Sequence, residues 1–235
     1  MLPKISQPLF ECTLPATKKV IKYRPMQVRE EKILLIAKQS ADRTDIYNGI
    51  TQIVGNCVAD DKFKADQLPL CDLEYLYIQI RSNSVGNIVK VSYIDSEDEQ
   101  QYDFEVDLAK ISVTEVTVPN KFELPDNVNL LLKYPPSSIY MDAEFASLPD
   151  ADAFDKIFLS TLDKIYQGDK VFNCADSTKE ELKEFIDSIP SKSYNDIRKF
   201  LTSLPVLKYQ IEYKNSKGTD RKINLTTLED FFIFA

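Results

Sequence analysis

Histidine is absent from this chain of 235 residues, and that absence removes most of the side-chain chemistry available near neutral pH. Without His there is no Ser-His or Cys-His couple, no His-ligated zinc, and no side chain whose ordinary pKa lies near neutrality. Carboxylates remain. Two of them in environments that push their pKa values apart can act as acid and base, and cleaving a glycoside needs such a pair ~5 to 10 Å apart. Asp155, Glu180 and Glu181 are candidates, yet each stands at a predicted helix start, where the helix dipole already favours negative charge. The densest group is Asp95, Glu97, Asp98 and Glu99 in the run DSEDEQ. Its density suggests Ca²⁺, but the Gly and Glu that an EF-hand loop needs at its sixth and twelfth positions are missing. A solvated acidic tip is the expectation.

Two other residue classes could do something beyond folding. Cys12, Cys57, Cys71 and Cys174 are widely spaced with no C-x-x-C pair, so buried free thiols are expected rather than disulfides or a metal site. No cofactor is implied. At the other end of the chain, Phe231, Phe232, Ile233 and Phe234 put four large apolar side chains together. Such a terminus needs a cover, either this chain's own helices or a partner surface, and these four are the candidate partner-binding residues.

Composition narrows the partners. A formal net charge of -8 repels nucleic-acid phosphates, and no basic stripe with interleaved aromatics offsets it. No apolar run approaches the ~20 residues of a membrane span, and residues 1–9 lack the apolar core of a secretory signal. The expectation is a soluble chain, cytoplasmic at synthesis, with neither nucleic acid nor membrane as partner. Hydrophobic residues make up 43%, enough for a real core.

The elements that would position these residues read as α+β, with helices packed on small antiparallel sheets and hairpins. In residues 70–81, Leu70, Leu73, Tyr77 and Ile80 recur at spacings of three and four, predicting a helix with Asp72 and Glu74 in its first turn. Ser84, Val85 and Gly86 break it. Val89, Val91 and Tyr93, then Phe104, Val106 and Leu108, alternate with polar residues and predict a hairpin with DSEDEQ at its tip. Upstream, residues 8–25 predict another hairpin, MQVREEKILLIAKQS a helix buried on more than one side, and a second helix starts near Asp42 or Thr44. Downstream, ISVTEVTVP and VNLLLKY read as strands and Pro135-Pro136 as a break. Phe154, Ile157, Phe158, Thr161, Leu162 and Ile165 suggest one helix closed by Gly168. STKEELKEFIDSIP opens with a capping pattern, and a third helix covers residues 193–204. The hairpin VLKYQIEY, KNSKGTD, RKINL follows.

Two domains are expected: residues 1–136, an α+β part, and residues 137–235, a helical part ending in a hairpin. The helix-hairpin order of residues 70–108 recurs in residues 193–228, as an internal repeat or as two independent hairpins.

The run P-x-F-E-x-x-L-P-x-x-x-K-x-I-K-Y-R-P from Pro8 to Pro25, E-E-K-x-L-L-x-A from Glu30, D-L-E-Y-L-Y-x-x-I-R-S-x-S-V-G-N from Asp72, and the terminal L-x-D-F-F together resemble the baseplate hub protein family of T4-like contractile-tailed bacteriophages. The resemblance covers residues 8–232 in order, and none of its motifs is catalytic. It implies a non-enzymatic hub subunit or a chaperone-like hub-assembly factor, binding other phage tail and baseplate hub proteins and open to homo-oligomerisation. It further implies action in the host cytoplasm during assembly and a place in the virion tail baseplate. Arg24-Pro25 and Ser84-Val85-Gly86 match it, though both read first as element boundaries. Zinc ribbons carry cysteine pairs at hairpin tips, and the tips here have no Cys or His. The alternative from a different class is a carboxylate-dependent cell-wall-degrading tail enzyme.

Overall fold

The computed structural model describes residues 5–40, 42–142 and 144–232. It is an α+β fold in which all strand pairings among those residues are antiparallel. Contacts divide the chain into two units, Met1–Thr114 with Val206–Ala235, and Glu115–Pro205.

The first unit begins with the expected hairpin, β1 (Phe10–Thr13) against β2 (Val20–Tyr23). Helices α1 (Val28–Ser40) and α2 (Arg43–Cys57) follow, the latter capped by Asp42, whose side chain accepts from the Thr44 N–H at 2.7 Å. Gly49 lets the two helices meet closely: a Cβ there would stand 3.1 Å from the Ala37 Cβ. Contrary to the sequence expectation, α1 is not buried on more than one side. It packs chiefly on α2, leaving Val28, Leu35 and Ile36 exposed, because apolar residues around the whole circumference exceed what one neighbouring helix can cover.

Helix α3 (Leu70–Val85) is the centre of this unit. Its buried surface, Leu73, Leu76, Tyr77, Ile78 and Ile80 among others, is wider than the predicted stripe. Asp72 is buried too. Its carboxylate accepts from the Ala16 and Thr17 N–H groups at 2.8 and 2.9 Å and from the Thr17 hydroxyl at 2.7 Å, tying the first hairpin's turn to the start of the helix. The boundary motifs are structural. Arg24 donates to buried Glu30, to the Pro25 carbonyl and to the Asn56 carbonyl, Ser84 accepts from the Met26 N–H at 2.8 Å, and Gly86 ends α3 with φ 130°. Strands β3 (Ile88–Ile94) and β4 (Gln101–Asp107) form the predicted hairpin, and β5 is the short Ser112–Val113.

The second unit holds β6 (Lys121–Leu124), β7 (Val128–Leu132), α4 (Asp150–Thr161), β8 (Leu162–Gln167), β9 (Lys170–Asn173), α5 (Lys179–Asp187) and α6 (Ser191–Thr202). Its sheet runs β6-β7-β8-β9, over a core of Leu130, Leu132, Phe158, Leu162, Ile197 and Phe200. The helix expected through Ile165 stops at Thr161. From Leu162 the chain is a strand paired on both sides, with β7 and β9, and two sets of ladder hydrogen bonds override the helical spacing of its apolar residues. The same pairing sets the division of the chain. The expected boundary between residues 136 and 137 lies inside this unit, because β7 before it and β8 after it are neighbours.

The chain then returns to the first unit. β10 (Leu207–Lys214) pairs with β5, Leu207 opposite Val113, and with β11 (Asp220–Leu225), and α7 (Leu228–Phe231) follows. Thr114 and Val206 are joined by hydrogen bonds of 2.9 and 3.0 Å where the chain leaves and re-enters. The helix-hairpin recurrence therefore spans both units, with α6 in the second and β10 and β11 in the first.

Candidate interaction site

The carboxylates of DSEDEQ were expected in water, and the structure puts three of them, Asp95, Glu97 and Asp98, against the other hairpin, with Glu99 exposed. Two of the first unit's hairpins, β3-β4 and β10-β11, share no backbone pairing. They meet through aromatic rings, Tyr213 lying 4.9 Å from Tyr102 and 5.2 Å from Phe104 between centroids, and through their tips. Asp95 is fully buried and accepts from the Tyr213 hydroxyl, from Arg221 Nε at 3.0 Å and from the Glu97 N–H at 2.7 Å. Glu97 accepts from Asn215 at 2.7 Å and Thr219 at 3.2 Å. Asp98 accepts from Tyr102 at 2.7 Å and from the Ser216 N–H and hydroxyl at 2.9 and 2.7 Å.

Electrostatics follow from these partners. The Tyr213 hydrogen bond is the main cause holding the Asp95 carboxyl below its ordinary range. For Asp98, desolvation opposes ionisation, but hydrogen bonds from Tyr102 and Ser216 prevail and keep it well below that range. Carboxylates saturated in this way are acceptors that fasten two hairpins. Sequence inspection missed this junction, although a signal existed: the acidic tip DSEDEQ is matched by KNSKGTDR, rich in donors.

Beside the junction, the hairpin faces separate into a cleft of about 520 Å³. Val91, Tyr93, Ile211, Ile223 and Leu225 line it. The charged groups at its edge are engaged: Glu229 with Arg43 at 2.9 Å, Lys222 with Glu212 at 2.7 Å, and Asp230 with the Thr226 and Thr227 N–H groups at 2.7 and 2.8 Å. With Ser92, Lys222, Asn224, Glu229 and Asp230 also in its wall, the cleft offers a mixed polar and apolar contact surface rather than acid-base chemistry.

The terminal aromatics sit next to it. Phe231 is buried, its ring 6.3 Å from Tyr209. Phe232 packs edge-on to Tyr77 at 5.9 Å, with the Arg81 guanidinium 5.8 Å from its ring centroid. This chain thus buries Phe231 and half-covers Phe232, while Ile233 and Phe234 lie outside the described residues. Helix α7 is also held by buried Glu74, which accepts from the Tyr47 hydroxyl at 2.6 Å and faces the Leu228 N–H at 3.5 Å. Burial pushes the Glu74 carboxyl up to about 7, against the opposing pull of those donors and of Arg43.

The carboxylates weighed for catalysis are in the second unit. Asp155 lines a groove of about 320 Å³ between α4 and α5, shared with Lys156, Lys179 and Lys183. Glu181 closes a capping box with Thr178, and the Thr178 N–H and hydroxyl hold its carboxyl below the ordinary range. A general acid needs the opposite shift. Glu180 is exposed in the same turn. The cysteines are free thiols, Cys57, Cys71 and Cys174 buried and Cys12 half-buried, and burial pushes Cys12 and Cys57 up to about 11. Among the described residues no three His, Cys, Asp or Glu are grouped to hold a metal ion, and no helix is long and apolar enough to cross a membrane.

Comparison with known proteins gives one family match. The family model described as T4 bacteriophage base plate protein matches residues 7–233. No curated protein and no solved structure matches the chain.

Proposed function

The chain belongs to the T4 bacteriophage base plate protein family, and from that premise we propose that it is a non-enzymatic component or assembly factor of the baseplate hub. The family match over residues 7–233 carries this reading. Its partners are other tail and hub proteins, met first in the host cytoplasm. The cleft between the hairpins, with mixed polar and apolar walls, and the exposed Val28, Leu35 and Ile36 of α1 supply surface of the kind such contacts use. At the C-terminus, Phe231 and Phe232 are already engaged within the chain, so the terminal contact proposed here falls to Ile233 and Phe234.

Co-expression with the other tail proteins of its own genome, followed by size-exclusion chromatography with light scattering, tests this. A stable complex is expected, weakened by removing residues 233–235, together with inertness on purified peptidoglycan. A chain that joins no tail protein would overturn the hub reading. Lysis of peptidoglycan that is lost in Asp155→Asn would replace it with the cell-wall enzyme.

A further inference from the structure

We infer that β9 is a self-complementary edge through which two copies of this chain pair, an inference that does not depend on the hub reading. Within the sheet β6-β7-β8-β9, β9 pairs with β8 on one side and has no neighbour on the other among the described residues. All four of its residues are exposed, Phe172 at 47% and Val171 at 54%. Exposed edge strands are usually blunted by shortness, charges, proline or a bulge, and β9 has the first of these, with four residues. Here the only charge within the strand is Lys170, next to the turn.

The turn fixes which way the backbone faces. Gly168, with φ 57°, and Asp169 link Gln167 to its partner Lys170 in a two-residue turn of the type that takes Gly first. The pair flanking such a turn exchanges both backbone hydrogen bonds, and hydrogen-bonded and open pairs alternate from there. Lys170 and Phe172 therefore direct their N–H and C=O groups at β8. Val171 and Asn173 direct theirs outward, symmetrically about Phe172.

That symmetry makes the strand its own complement. An antiparallel second copy with its two-fold axis at Phe172 sets Val171 opposite the partner's Asn173, and Asn173 opposite the partner's Val171, forming four backbone hydrogen bonds. Phe172 then lies in the open pair, where facing side chains come closest. Its side chain continues a row across the sheet, Phe122 opposite Leu130, Leu130 opposite Ile165, Ile165 opposite Phe172. Burial falls along that row: Phe122 and Leu130 are core, Ile165 is half-buried and Phe172 is exposed. The partner's Phe172 would cover the last ring.

Sedimentation equilibrium of the full chain, over about three decades of concentration up to about 1 mM, tests the pairing. A monomer-dimer equilibrium is expected. Val171→Pro removes only an outward N–H, and Phe172→Lys places like charges on the axis; each should weaken dimerisation at least about tenfold, a shift of about 1.4 kcal/mol. Circular dichroism checks that each variant keeps its sheet, and if Val171→Pro does not, Phe172→Lys decides. A wild-type chain that stays monomeric throughout would overturn the inference, even if another tail protein binds at β9. A dimer unaffected by the folded variants would overturn it too.

Discussion

The two units bury different chemistry. Among the described residues, the buried polar side chains of the first are Glu30, Asp72, Glu74, Asp95 and Asn215, and those of the second are Ser137 and Thr161. The difference follows how each unit is assembled from the chain. The second is one continuous segment, Glu115–Pro205, in which apolar packing of neighbouring elements suffices. The first must bring together segments far apart in sequence, and three of its four buried carboxylates do that joining. Asp72 holds residues 16 and 17, Glu74 reaches Leu228, and Asp95 reaches Tyr213 and Arg221. A buried carboxylate without its donors is strongly destabilising, whereas apolar surface accepts many partners. Such groups therefore select which segments meet, at a cost in net stability.

The contrast between the units is broken most sharply by removing one buried anchor from each. Arg24→Ala leaves Glu30, which is fully buried, with only Arg29 and the Gln27 N–H as partners, and should destabilise the first unit by about 3 kcal/mol. Phe158→Ala in the second unit should lose about 3–5 kcal/mol through a cavity. Denaturant titrations of both variants at two pH values separate the mechanisms. The Phe158→Ala loss should be independent of pH. The Arg24→Ala loss should shrink in acid, as Glu30 becomes protonated, because its carboxyl is ordinarily held below the usual range: burial raises it, but the bonds from Arg24, the Gln27 N–H and Arg29 prevail.

Glu74 gives an effect of opposite sign. Its folded-state pKa of about 7 lies above the ordinary carboxylate value, so its contribution to stability is full below about pH 4 and is lost as pH rises through 7. Glu74→Gln should therefore gain stability relative to wild type between pH 5 and 8, by on the order of 3 kcal/mol at most. The check is the difference between the two stability-pH curves. A constant difference would mean that Glu74 does not titrate in this range. The smallest effect expected is at the tips. Tyr213→Phe removes one donor from Asp95 and should speed amide exchange in residues 95–100 and 215–219 while leaving the second unit unchanged.

Where the sequence was legible, local patterns were decisive. The alternation of Val89, Val91, Phe104 and Val106 places β3 and β4 correctly, and Thr178 before Glu181 marks the start of α5. Properties set by distant partners were not legible. Asp72 and Glu74 fit a solvated first turn of a helix as well as they fit the buried positions they occupy. Leu162 and Ile165 continue a helical spacing until β7 and β9 are known to flank them. Phe231 could have faced a partner. Its burial follows from α7, whose capping box pairs Thr227 with Asp230 and turns the ring onto Tyr209.

Deleting this gene from the phage that encodes it, and examining tail assembly by electron microscopy and quantitative mass spectrometry, tests the central claim most directly. Complete baseplates should fail to form, and should return when the full chain is supplied in trans. Normal, infectious tails built without it would contradict the account.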